Sequence, residues 1–169
     1  MADWLAEFDA SYRFMRVSRA TGAEVSELEG FEGGGSISRN LDTDVYESAS
    51  ATCEGGLDVG ADLVRVYLDA DFGGEVERVA LGTFVPSVPK RDVSGEVDRA
   101  SVSMQGRLSE LAEDAFDAPF SLPAGSDPVA EAAAICRACG LAVSADASAY
   151  RLSTAWTFGL SETSDGEGG

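Results

Sequence analysis

The sequence has no histidine. That removes the commonest general base and metal ligand, and it excludes any Ser-His-Asp or Cys-His mechanism within this chain. Basic residues are also scarce, 12 against 30 acids, for a net charge of −18. Such a surface repels nucleic acid and anionic lipid, so neither a membrane nor a sequence-specific nucleic acid is expected as partner. No apolar run approaches the roughly 18 residues of a membrane span, and the start, Met1-Ala2-Asp3-Trp4, lacks the basic and apolar regions of a secretory signal. Cysteine is sparse and odd in number: Cys53, Cys136 and Cys139. A chain of this size buries enough apolar surface to need neither disulfide nor metal, which fits folding in a reducing compartment.

What is present is an ordinary globular composition, 44% hydrophobic, arranged first as strands and later as helices. Residues 3–10 form either one helical turn or an extended arm. Tyr12–Val17 and Glu24–Leu28 flank Ala20-Thr21-Gly22-Ala23, which predicts a hairpin. Gly33-Gly34-Gly35 reads as a flexible break. Ser36–Arg39 and Tyr46–Cys53 alternate, with small residues on one face. Leu63–Leu68 is the clearest strand, rich in β-branched and aromatic types. Asp69–Glu75 turns the chain, and Val76–Val85 returns with Gly82 inside it, a signal for a bulge or a bend at a barrel corner. A further strand is expected over Val97–Gln105.

Leu108, Leu111, Ala112, Ala115 and Phe116 make one helical apolar stripe. Asp127 caps a second helix with Pro128 at its first position. Val129, Ala132, Ala133, Ile135 and Cys136 form its expected buried side, and Gly140 its end. Leu152–Leu160 suggests one more strand, and the polar, glycine-rich segment 161–169 suggests disorder. The predicted fold is mainly β: an antiparallel β-barrel or sandwich with two short helices packed at one end. Its expected divisions are an arm over 1–10, the β-barrel over 11–106, a helical extension with a short strand over 107–160 that begins a further domain, and a tail over 161–169.

No constellation of catalytic type stands out. Cys136-Arg137-Ala138-Cys139 has C-x-x-C spacing, but it lies at a helix C-terminus, where the dipole opposes a thiolate. A zinc site would need two more ligands, and Cys53 supplies only one. Asp69-Ala70-Asp71-Phe72-Gly73-Gly74-Glu75 begins like a calcium loop. Its fifth position is Gly73 and its twelfth is Ala80, so solvated acids in a hairpin loop fit better; Asp42 and Asp44 take the same reading. Trp4 and Trp156 could stack on a sugar, though single tryptophans more often sit half-buried at domain edges. No nucleotide-binding or nucleophile-elbow fingerprint occurs. Catalytic residues, cofactor and metal are therefore all expected to be absent, and the chain is expected not to be an enzyme.

The order of several motifs resembles the N-terminal part of a phage or prophage tail hub (baseplate hub) protein of the siphophage type. The pieces are Tyr12–Val17, Gly35-Ser36-Ile37-Ser38-Arg39, Ser48-Ala49-Ser50-Ala51-Thr52 and Leu63–Leu68. They continue with Leu81-Gly82-Thr83-Phe84-Val85, Val97–Gly106, the stretch Ala118-Pro119-Phe120-Ser121-Leu122-Pro123-Ala124-Gly125, and the helix Pro128–Cys139. The resemblance spans roughly residues 10–145, and Arg107 departs from an acid that members often carry there. It implies the family's first barrel and the start of its next domain. It also implies a structural role: a homo-oligomer, a trimer in the full-length family member, that joins the tail tube to the tip in the virion tail after synthesis in the bacterial host cytoplasm. An acidic wall beside a DNA channel would keep phosphates from sticking. Subunit contacts would then use apolar residues on the barrel rim, for which Phe72, Val85 and Val88 are the candidates. The alternative is a carbohydrate- or protein-binding β-sandwich module of a cell-surface recognition apparatus. It would need an aromatic platform, and the two tryptophans and four tyrosines are spread through the sequence.

Overall fold

A computed structural model describes residues 4–43, 45–55, 57–87, 90–92, 99–112, 119–146 and 148–158. The chain divides into two compact units, Met1–Ser109 and Glu110–Gly169. The first is built from β1 (Asp9–Val17), β2 (Glu24–Leu28), β3 (Phe31–Arg39), β4 (Glu47–Glu54), β5 (Leu63–Asp71), β6 (Val76–Pro86), β7 (Lys90–Asp92) and β8 (Arg99–Gly106). α1 (Leu108–Ala112) begins at its end. The second holds β9 (Phe120–Leu122), α2 (Pro128–Ala138) and β10 (Trp156–Phe158). The fold is mainly β and antiparallel, with two short helices among the described residues, as the sequence predicts.

The strand order is β2-β1-β5-β6-β8-β4-β3, with β7 following β6 along one edge of β8. The sheet curls. Phe14 on β1 and Phe31 on β3, near opposite ends of that order, stack with ring centroids 3.9 Å apart. The alternating pattern sets the inside. Ala49, Ala51 and Cys53 of β4 face Met104, Val102 and Ala100 of β8, all buried, together with Val64, Val66 and Phe84. The Cys53 thiol donates to the Ala100 carbonyl at 3.7 Å.

The predicted hairpin is present: β1 and β2 pair across the 18–23 loop. The bulge signalled by Gly82 is also present. Val66 pairs with Gly82 and Tyr67 with Ala80, so Leu81 is the extra residue. The Arg39 guanidinium donates to the Leu81 carbonyl and also pairs with Glu47 at 2.8 Å. The Phe84 ring lies over Gly82, where a Cβ would fall 2.6 Å from its Cζ.

Four local expectations change. The Gly33-Gly34-Gly35 run lies inside β3. Phe31 pairs with Cys53 and Gly35 with Ala51, so the glycines bulge rather than break the strand. Gly35 approaches β4 so closely that a Cβ would sit 2.5 Å from the Ser50 carbonyl oxygen. β5 runs on through Asp69 to Asp71, and only residues 72–75 turn. β9 lies within the stretch Ala118–Gly125, for which no strand is expected, and pairs with β10.

The fourth change concerns the helices. In α2, Ala133 is buried, whereas Val129 and Ala132 are exposed. Leu108 of α1 is exposed too, and Ala115 and Phe116 lie outside the described residues. The ends of α2 are as expected. Asp127 accepts from the Val129 and Ala130 N–H groups. Gly140 (φ +78°) closes the helix, with Gly140 N–H donating to Arg137 O and Leu141 N–H to Cys136 O.

Candidate functional site

The curled sheet has a seam. β1 is 9 residues long and β2 only 5. β2 pairs with Phe14–Val17 and then turns through Gly30 into β3. Asp9–Arg13 therefore pairs with β5 on one edge and, among the described residues, with nothing on the other. β3 likewise has β4 on one edge and, among the described residues, no ladder partner on its other edge.

Between these two bare edges lies a cleft of about 640 Å³. Ala10, Ser11, Tyr12 and Phe14 line it from β1, and Phe31, Glu32, Gly35, Ser36 and Ile37 from β3. Val66, Leu81, Ala49 and Met104 reach it from the barrel interior. The Phe14–Phe31 stack shuts one end. The cleft presents apolar side chains, Ser11, Ser36, Ser50 and a Glu32 carboxylate held by Arg99 at 2.8 Å, with strand-edge backbone beside them, which suits docking of an extended segment.

The outer surface beside it is electrostatically organised. Asp69, 8% exposed, takes two hydrogen bonds from Arg78 (2.6 and 2.9 Å) and one from Arg13 at 3.4 Å. Arg13 also reaches Glu27 of β2 at 2.6 Å. The Arg78 guanidinium holds the Asp69 carboxyl below the usual carboxylate range. Glu24 of β2 is lowered chiefly by the Tyr67 hydroxyl, 2.5 Å away, with Arg65 at 3.2 Å. Four strands are thus laced together from outside. The sequence reading of Asp69 as a solvated loop acid is corrected, because its strand position sets it between two arginines.

Asp9 differs. It stands directly across from Asp71, and no cation pairs with it among the described residues. The outer face of β3, β4 and β8 carries Ser36, Ser38, Ser48, Ser50, Ser101, Ser103 and Gln105, all exposed, with Ser36 and Ser50 hydroxyls 3.0 Å apart.

The rim candidates are not brought together. Phe72 sits in the β5–β6 turn, half-buried against Trp4 and Phe8 at centroid distances of 5.4 and 5.2 Å. Val85 lies half-buried at the far end of β6, paired with Gln105, roughly 30 Å along the strand. Val88 lies outside the described residues, as does Asp44.

Cys136 and Cys139 are half-buried thiols and Cys53 a buried one. Among the described residues no group of acids and cysteines is placed to hold a metal. No helix among them is long and apolar enough to cross a membrane.

In the second unit, Leu122, Ala133, Leu141 and Leu152 are buried. The β9–β10 ribbon carries Phe120, Trp156 and Phe158 on one face, with Trp156 and Phe158 about half exposed. Trp156 thus joins Phe120 and Phe158 in one small cluster, while Trp4 packs with Phe8 and Phe72 in the first unit. Strand pairing, which sequence spacing does not display, creates the cluster on the ribbon.

No family model matches the chain, and no curated protein matches it. A solved structure shares its fold. The 43 kDa tail protein of prophage MuSo2 from Shewanella oneidensis is 12% identical with a TM-score of 0.54, over 89% of this chain and 44% of that one. The tail protein from Neisseria meningitidis MC58 is 14% identical with a TM-score of 0.48, over 75% of this chain and 33% of that one. The chain spans less than half the length of either.

Proposed function

We propose that the chain is a structural component of a phage or prophage tail tip, resembling the hub that joins the tail tube to the tip. The observation that carries this is the fold shared with the MuSo2 tail protein over 89% of the chain. The motif order points the same way. An acidic, histidine-free chain with a cleft bounded by strand edges suits holding neighbours better than chemistry.

In this proposal the protein is non-enzymatic, is made in the host cytoplasm and ends in the virion tail. It assembles as a homo-oligomer, a trimer in the full-length protein, against tube and tip proteins. The barrel over 11–106 is one division and the extension over 107–160 begins the next domain. Phe72, Val85 and Val88 remain candidate subunit contacts.

Immunogold labelling of induced particles tests the role. Label at the tail tip supports it; label that stays with the soluble lysate and never sediments with particles contradicts it. Sedimentation of the full-length protein tests the trimer.

A second proposal, a carbohydrate- or protein-binding module, is favoured by one observation, the half-exposed Trp156 and Phe158 on the β9–β10 ribbon. A glycan array on which the protein binds, and Trp156→Ala does not, would support it.

A further inference from the structure

The seam has the dimensions of a missing half-strand. Were β2 as long as β1, its continuation would lie along Asp9–Arg13 and fill the cleft. Gly30, at φ +82°, instead turns the chain into β3. Asp9 to Tyr12 are consequently exposed although they lie within a strand of the sheet. A bare edge of about five residues, roughly 17 Å long, offers alternating N–H and C=O groups to an incoming backbone.

Side chains state what that segment must carry. Successive residues of β1 point alternately toward the inner and the outer face of the sheet. Ala10, Tyr12 and Phe14 share one face with the cleft-lining Val66 across the ladder, so residues opposite Ala10 and Tyr12 should be apolar. Asp9 is on the other face, directly opposite Asp71. Two like charges so placed repel, and a cation in the next strand would relieve them.

We propose that the seam is the docking site of an extended segment of a different protein, added antiparallel to Asp9–Arg13. The segment carries apolar residues at its inward positions and a lysine or arginine opposite Asp9. Charge selects this occupant: the chain is at −18, so a second copy is repelled as a whole, and the Arg13 that an antiparallel copy would set opposite Asp9 is already held by Glu27 and Asp69. The proposal stands on the strand geometry and holds whether or not the chain belongs to a tail.

The probe is the peptide acetyl-Thr-Val-Thr-Val-Lys-amide, whose lysine falls opposite Asp9 in antiparallel register. Backbone-amide exchange is followed on the full chain at low salt. The expected result is new protection confined to Asp9–Arg13. Affinity should fall roughly tenfold when the peptide lysine becomes glutamate, and that preference should reverse in Asp9→Lys. Asp9→Asn, the milder variant, should abolish the preference without reversing it.

Three results overturn the proposal. One is no protection at saturating peptide. Another is equal binding of the fully N-methylated peptide, which cannot form the ladder. The third is the same protection appearing without peptide as the protein concentration rises, which makes the occupant a second copy.

Discussion

The two halves of β1 share one strand but live under different constraints. Phe14–Val17 has β2 on one side and β5 on the other, and Val17 is fully buried. Among the described residues Asp9–Arg13 has β5 alone, and its first four residues are exposed. Strand propensity does not explain this, since Tyr12 and Arg13 are as compatible with a sheet as Arg16 and Val17. Chain length does, because β2 stops early and leaves an edge that other sheet proteins blunt or cover. One half of the strand therefore serves the fold and the other is available to a partner.

The largest expected effect comes from breaking the closed side. Phe84→Ala empties the most buried aromatic position in the barrel and should cost about 3–5 kcal/mol in denaturant unfolding. Tyr12→Ala, on the open half, should cost far less because Tyr12 is 59% exposed. Equal costs would mean that the seam is as closed as the core.

Next is Gly35→Ala. Its new Cβ would press on the Ser50 carbonyl across the β3–β4 ladder, and the expected loss is about 1–3 kcal/mol. A neutral result would show that β3 shifts freely and that the cleft's second wall is soft.

The legibility of the molecule follows the same division. The hairpin, the Gly82 bulge and the Asp127 and Gly140 helix ends were readable because each depends on a few neighbouring residues. The glycine run in β3 was not, since only the β4 partner decides whether Gly33-Gly34-Gly35 bulges or breaks. The seam was invisible for a related reason. No residue type marks a strand edge left bare, and the signal is a length mismatch between β1 and β2 that appears once register is known. Asp69 looks like a loop acid in the sequence because its counter-ions, Arg13 and Arg78, come from other strands.

A smaller effect concerns that acid. Asp69→Asn removes the charge that Arg78 and Arg13 share, and should cost about 1–2 kcal/mol near neutrality, with solvent screening of the half-exposed Arg78 keeping it low. The folded-state pKa lies below the ordinary value of about 4. The stabilisation is thus complete above that value and is lost as pH falls through the folded one. Acid titration of stability should show a shallower decline below about pH 4 in Asp69→Asn than in the parent. Parallel acid limbs would show that Asp69 is solvated after all.

The smallest expected effect is on the second unit. Asp127→Ala removes the α2 cap and the contacts to Ser148 and Arg151, and should slightly lower the unfolding temperature. Amide exchange in β1 should be unchanged, because the difference between its halves belongs to the barrel sheet.

Amide exchange along β1 in the unliganded full chain tests the central claim most directly. Along Phe14–Val17 protection should be continuous, with ladders on both edges. Along Asp9–Arg13 it should alternate, amides bonded to β5 exchanging slowly and those facing the seam exchanging rapidly. Uniform protection from Asp9 to Val17 in dilute protein would contradict the account, since it would mean the edge is already filled.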